Sequence, residues 1–359
     1  MKPKDKKIKE LIAVSKRVLA DCALENGAIV ATNSDKSYYP REAAYYRYVW
    51  PRDASFTCLA AQYIDLPVQI PFFKWLFEKP EDFKKEQLLY ANYSTNGRIG
   101  TMGKMFEPDQ MGTVLFAIYS YFKNDPKKAF PFKQLISRLA DGLCSVWNKT
   151  YFIPNTVDLW EDGFRKTSTT VENNFTYSLA ACARGLLCAD EIFPNKIWKK
   201  SAGQMMKKIN ASYSDKNNYF LRNHGRIDDK NIDASLLGLV WPFEIIEAND
   251  KRIKSTIEKI EKELVLDGGV HRFQFDYFDS EGTAWEGGGA WPALNFWLAI
   301  YWHLVGDNKK AKAYYNWVIE RVDKYIPEQI FPDFRIGIYP LAWSHAMFII
   351  ASHYLGYLK

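Results

Sequence analysis

The sequence predicts an all-α protein, a single domain folded as a closed toroid of helix pairs, an (α/α)6 barrel. Three observations carry the prediction. Apolar residues recur at helical spacing in segment after segment, and few stretches alternate as strands do. The helical segments are of two alternating kinds, one amphipathic and lysine-rich, the other more apolar and rich in small residues. The apolar kind begins at about 52, 109, 169, 232, 289 and 341, a weak internal period of 50 to 65 residues.

In chain order, the spacing predicts helices over 7–24, 52–65, 69–78, 109–123, 131–148, 169–190, 195–211, 232–240, 249–264, 289–305, 308–322 and 341–357. The small-residue helices are marked by Ala54–Ala61, by Leu179-Ala180-Ala181-Cys182-Ala183, by Ala234–Leu239 and by Ala346–Ala351. Helices of that kind belong inside a ring. Lys196–Lys208 and Lys251–Lys262 carry a solvated face and belong outside it. Asn124-Asp125-Pro126 and Gly306-Asp307-Asn308 supply turns between elements. No low-complexity linker divides the chain, so a single domain is expected over 1–359.

Bulk properties narrow the function. The 359 residues are 47% hydrophobic and 25% charged, an ordinary globular composition, but 16% are aromatic, with 12 Trp and 22 Tyr. Flat rings in that number suit a large core and also suit sugar binding. A net charge of +6, spread over helix faces and without a nucleic-acid-binding motif, argues against a nucleic-acid partner. The five cysteines lie in apolar helical contexts with no CxxC spacing, as buried free thiols in a reducing compartment do. No signal peptide and no membrane-spanning run is present, which leads us to expect a cytoplasmic protein with no membrane partner. Oligomeric state is not legible.

Unusual residues gather just before each expected inner helix. They lie in Tyr46–Asp53, Phe106–Gln110, Asp158–Asn174, Asn231–Asp233, His271–Trp291 and Pro327–Trp343. If the inner helices run parallel, these loops and their helix N-termini share one face. The stretch Val157-Asp158-Leu159-Trp160-Glu161-Asp162-Gly163 places two carboxylates directly after an indole. A Trp can offer a platform to a sugar, and its burial can raise a neighbouring carboxyl into the range of a general acid. In Tyr46-Arg47-Tyr48-Val49-Trp50-Pro51-Arg52-Asp53, Asp53 has two readings, a helix cap and half of an Arg-Asp pair for vicinal hydroxyls. Asp109 reads as a cap, and Thr167–Glu172 as a capping box that assigns Glu172 to structure. Arg272 is a candidate sugar ligand, Glu286 a rival carboxylate within a glycine-rich loop, and Glu328 a carboxylate after Pro327.

Metal, cofactor and nucleophile readings are poor. The five histidines form no HxxxH or HExxH pair, Ser344-His345 is no triad, and there is no GxSxG elbow or GxGxxG loop. Carboxylates from different loops, with Arg and aromatics, are the equipment of glycosidic bond hydrolysis.

These motifs, in this order, resemble glycoside hydrolase family 15, the glucoamylase-like enzymes. Tyr46…Trp50-Pro51-Arg52-Asp53, Asp158-Leu159-Trp160-Glu161-Asp162, Arg272, Trp291-Pro292, Pro327-Glu328-Gln329 and Leu341-Ala342-Trp343-Ser344 carry the resemblance. It implies an inverting exo-hydrolase that releases β-glucose from non-reducing ends of α-gluco-oligosaccharides such as maltose or isomaltose. It also implies the roles. Glu161 matches the general acid and Glu328 the general base. Arg52, Asp53, Tyr46, Arg272 and Asp162 match residues that hold the terminal sugar, with Trp50 and the Trp160 carbonyl beside them. Inversion needs the two carboxyls roughly 6.5–9.5 Å apart. An α,α-trehalase, a glucoside phosphorylase on the same barrel and a non-catalytic sugar-binding protein are the alternatives.

Overall fold

A computed structural model describes residues 3–162, 167–276, 288–331 and 337–358. Gly163, Glu286 and Asp333 lie outside them. In chain order the α-helices are α1 (Pro3–Cys22), α2 (Pro51–Ala61), α3 (Gln69–Glu78), the single turn α4 (Phe83–Glu86), α5 (Pro108–Phe122) and α6 (Lys133–Ser145), with short 3-10 turns at Arg41–Tyr46 and Pro126–Phe132. There follow α7 (Thr176–Ile192), α8 (Lys196–Ala211), a 3-10 helix (Ala234–Leu239), α9 (Lys251–Leu264), α10 (Pro292–Leu304), α11 (Asn308–Arg321) and α12 (Ala342–Tyr354).

The expected (α/α)6 barrel is what forms. Helix α2 packs on α5, α5 on α7, α7 on the 3-10 helix, that on α10, α10 on α12, and α12 returns to α2. The ring closes because these elements have no polar face to present to water. Every residue of α2 and of the 3-10 helix is buried. The striped helices cover it from outside: α1 on α12, α8 on α7, α9 on the 3-10 helix and α11 on α10. Trp297, with Phe56, Tyr177, Trp241 and Trp343 at ring-centroid distances of 5.9, 6.1, 6.2 and 6.0 Å, fills the centre.

Two glycines set how closely α5 and α7 approach. A Cβ on Gly112 would stand 2.3 Å from the Ala181 carbonyl oxygen, and one on Gly185 would stand 2.5 Å from that of Gly112. Backbone on both sides leaves nothing soft to yield. Gly112→Ala is expected to lower stability by about 3 kcal/mol, read as a shifted denaturation midpoint with an unchanged slope.

Four local expectations are corrected. The segment 232–240 makes only one short 3-10 helix, because Pro242, which has no amide hydrogen to continue a helix, follows within a few residues. The seventh helix starts at Thr176 rather than 169, and no capping box forms. Glu172 sits at φ +57° in the turn before strand β1 (Asn173–Phe175), and Ser168 Oγ instead accepts from the Thr170 and Val171 amides. Asp53 caps nothing, since the N-cap position of α2 is Trp50. Asp109 lies inside the first turn of α5, behind Glu107 and Pro108.

Short antiparallel strand pairs, which the helical periodicity hides, tie the loops together. β1 pairs with β4 (Asn223–Gly225), β2 (Tyr213–Ser214) with β3 (Tyr219–Phe220), and β5 (Val265–Leu266) with β6 (Gly269–Val270). All five cysteines are unpaired; four are buried and Cys144 is partly exposed. Among the described residues, no helix is long and apolar enough to cross a membrane.

Candidate active site

A cavity of about 680 Å³ opens at the end of the barrel where the inner helices begin. Trp50, Arg52 and Asp53 reach it from the start of α2, Trp291 from the start of α10, and Leu341 and Trp343 from the start of α12. Leu159–Asp162, Arg272 and Glu328 enter from the intervening loops. Every site residue expected from the sequence borders this one cavity: Tyr46, Trp50, Arg52, Asp53, Trp160, Glu161, Asp162, Arg272 and Glu328.

Glu161 is turned into the cavity by its own loop. Its amide donates to the Asp158 carbonyl at 3.0 Å, and the Trp160 amide donates to Asp158 Oδ1 at 3.1 Å. The turn leaves Glu161 at φ +57°, a left-handed conformation that a non-glycine residue adopts only when its surroundings insist. Its carboxyl is partly reachable from the cavity but enclosed by protein elsewhere, and it accepts a hydrogen bond from Trp50 Nε1 at 2.5 Å. Burial pushes its pKa up to about 7 from 4.5; Arg52 and the Trp50 hydrogen bond pull downward, while Asp53 and Asp109 push up again. A carboxylic acid that still holds its proton near neutrality can give it away there.

Arg52 is itself immobilised. Its guanidinium meets Glu107 at 2.6 Å and Asp109 at 3.1 Å, and its amide donates to Gln110 Oε1 at 2.7 Å. Glu107 and Asp109 are fully buried, so the loop that looked like a helix cap is a clamp on the arginine. Asp53, 3.7 Å from Arg52, is held up to about 6 by burial, against the pull of that arginine. A fixed donor beside a fixed carboxylate suits a pair of neighbouring sugar hydroxyls.

Glu328 borders the same cavity. Its amide donates to the Ile338 carbonyl at 2.8 Å, and its Oε2 accepts from the Tyr46 hydroxyl at 3.4 Å. The Tyr46 ring is 6.0 Å from that of Trp50, so an aromatic pair lies between the hydrogen bonds of the two carboxylates. Gln329 secures the same loop by accepting from the Gly289 amide at 3.0 Å. His345 is a strut. Its Nε2 accepts from the Ile326 amide at 3.0 Å and its Nδ1 faces Ser15 Oγ at 2.8 Å. Burial lowers its pKa to about 3, so it stays neutral.

Arg272 stands among rings, its guanidinium 5.0 Å from Trp291, 5.3 Å from Phe273 and 5.5 Å from Trp160, with Asp276 gripping it through two bonds of 2.6 Å. Sequence reasoning missed Glu107 as a buried anion and missed Arg222 altogether. The signal for Arg222 was indirect: Asp158, Asp162 and Asp233, all expected near one face, require a cation among them. Among the described residues, no cluster of His, Cys, Asp or Glu could hold a metal ion.

Residues 76–324 match the family described as "Glycosyl hydrolases family 15". The chain belongs to that family. It is 29% identical over 378 residues to an uncharacterized glycosyl hydrolase of Methanocaldococcus jannaschii, covering 95% of this chain but 55% of that one. It is 24% identical over 380 residues to the isomaltose glucohydrolase of Kribbella flavida, covering 95% of this chain and 94% of the relative. A solved glycosidase shares the fold at a TM-score of 0.83, with 22% identity and full coverage of both chains.

Proposed function

We propose that this family 15 member is an exo-acting, inverting α-glucoside hydrolase that releases β-glucose from the non-reducing ends of short α-gluco-oligosaccharides. The observation that carries the reading is Glu161, an enclosed carboxyl holding its proton up to about pH 7, on a cavity that Glu328 also borders.

The terminal glucose sits with its hydroxyls on Arg52 and Asp53 and its ring among Tyr46, Trp50 and Trp160. Arg272 and Asp162 bind at the same end of the cavity. Glu161 gives its proton to the glycosidic oxygen as the bond from C1 to that oxygen breaks. Glu328 takes a proton from water, whose oxygen bonds to C1 from the opposite face of the ring. One water is consumed, the aglycone leaves as an alcohol, and the new hydroxyl at C1 is β. Proton exchange with solvent restores both carboxyls.

The test is a panel of maltose, isomaltose, α,α-trehalose and longer glucans, with and without inorganic phosphate, in which NMR follows the anomer first released. Isomaltose leads the panel because the Kribbella relative, matched along nearly the whole of both chains, is an isomaltose glucohydrolase. Release of β-glucose without phosphate supports the reading. The α anomer at the C1 that water attacks, judged against the α-glucose that the leaving half of a disaccharide supplies, or glucose 1-phosphate formed only with phosphate present, overturns it.

A further inference from the structure

Behind the Glu161 loop lies a cation that neither the sequence motifs nor the family match singles out. Arg222 is 2% exposed. Its guanidinium grips Asp158 through Nε at 3.1 Å and through a second, short bond from Nη2. Nε lies 2.9 Å from Asp233, Nη2 lies 3.8 Å from Asp162, and the group sits 4.2 Å over the Phe273 ring.

Each of the three carboxylates it meets touches or adjoins the Trp160-Glu161 segment. Asp158 makes the turn, through its carbonyl to the Glu161 amide and its side chain to the Trp160 amide. Asp233 receives the Trp160 indole N–H at 3.1 and 3.2 Å. Asp162 follows Glu161 directly. The arginine's own backbone is pinned, since its carbonyl accepts from the Thr176 amide at 2.9 Å at the start of α7, and Thr176 Oγ1 holds the Leu221 carbonyl at 2.6 Å.

Three like charges around one loop would drive it open, and the left-handed Glu161 would relax with it. One buried fork holds them closed. We infer that Arg222 is a positioning residue for proton delivery, fixing the backbone that aims the Glu161 carboxyl at the glycosidic oxygen. Its main effect runs through Glu161 rather than through sugar binding, so it matters most when the leaving group needs a proton. The inference rests on the proposed acid role of Glu161.

Arg222→Met, Arg222→Lys and Glu161→Gln are assayed on α-D-glucosyl fluoride and on whichever of maltose, isomaltose and trehalose the wild type cleaves fastest. Fluoride departs without a proton being delivered to it. Arg222→Met should lose about 100-fold or more in kcat on the disaccharide and less than about 10-fold on the fluoride. Arg222→Lys, which keeps the charge but not the fork, should fall between. In the Glu161→Gln background, Arg222→Met should add under about threefold on the disaccharide, because residues acting as a unit are not additive. Equal losses on both substrates, or wild-type rates in Arg222→Met, overturn the inference. Should Arg222→Met fail to fold by circular dichroism, Asp233→Asn carries the same prediction, because it weakens the indole and guanidinium contacts while its amide oxygen can still accept from the Ser235 amide. A wild type that cleaves neither substrate overturns the functional reading itself, and this inference with it.

Discussion

Glu161→Gln is expected to reduce kcat on a disaccharide by about a thousandfold or more while leaving glucose binding within a few-fold of wild type. The amide keeps the shape of the side chain but has no proton to give, so the loss measures proton delivery alone. Titration calorimetry with glucose and steady-state rates check the two halves separately; unchanged activity would remove Glu161 from the acid role. The pH dependence carries the same signature. In the proposed mechanism protonated Glu161 is the active form, and its pKa is held up to about 7 by burial, so kcat/KM of the wild type should fall as pH rises through about 7. The same shift has a cost in stability. Between the ordinary value of 4.5 and about 7, the folded protein binds the proton more tightly than the unfolded chain, so stability present below 4.5 is lost as pH rises through 7. Because the carboxyl is partly reachable from the cavity, the loss is on the order of 1–3 kcal/mol. Glu161→Gln should therefore melt at a higher temperature than wild type at pH 8 and show no such gain at pH 4.

Glu328→Ala should be as damaging in the opposite half of the reaction, with kcat down by about 100-fold to 10,000-fold. Removing this carboxylate leaves water without a base and opens space on its face of the sugar. Added azide, a small nucleophile that needs no deprotonation, should restore turnover and give a β-glucosyl azide detectable by NMR. Retained activity in Glu328→Ala together with lost activity in Glu286→Gln would transfer the base role to Glu286. The Tyr46 hydroxyl, which donates to Glu328 at 3.4 Å, should matter through Glu328, so Tyr46→Phe should produce a milder loss of the same kind.

The ring of helices was legible because it follows from which segments can tolerate water. An inner helix such as α2 has no polar stripe, whereas α9, with Lys251, Lys254, Lys259 and Lys262, has a wide one, and periodicity separates the two without reference to their neighbours. The site residues were legible for a related reason. Arg52 and Asp53 stand in the first turn of an inner helix and the others in stretches between helices, and pairs such as Trp160-Glu161 and Arg52-Asp53 have unusual local chemistry that one reads in place. Roles that depend on distant partners were not legible. Asp109 looks like a cap from its position before an apolar run, and only the fold shows it buried against Arg52, 57 residues away. Glu172 completes a capping-box pattern, yet pairing between Asn173–Phe175 and Asn223–Gly225 takes its segment out of the helix.

The chain order of apolar and striped segments, and the local motifs at their ends, thus settled the barrel and which loops would meet. Closure of the ring decided everything that depends on approach. It enclosed Glu161 so that its proton is held to about pH 7, it set Glu328 on the same cavity, and it gathered Asp158, Asp162 and Asp233 around Arg222. The reason is physical. Helical propensity and patterning act over a few residues, whereas desolvation and ion pairing depend on which groups share a volume from which water has been expelled.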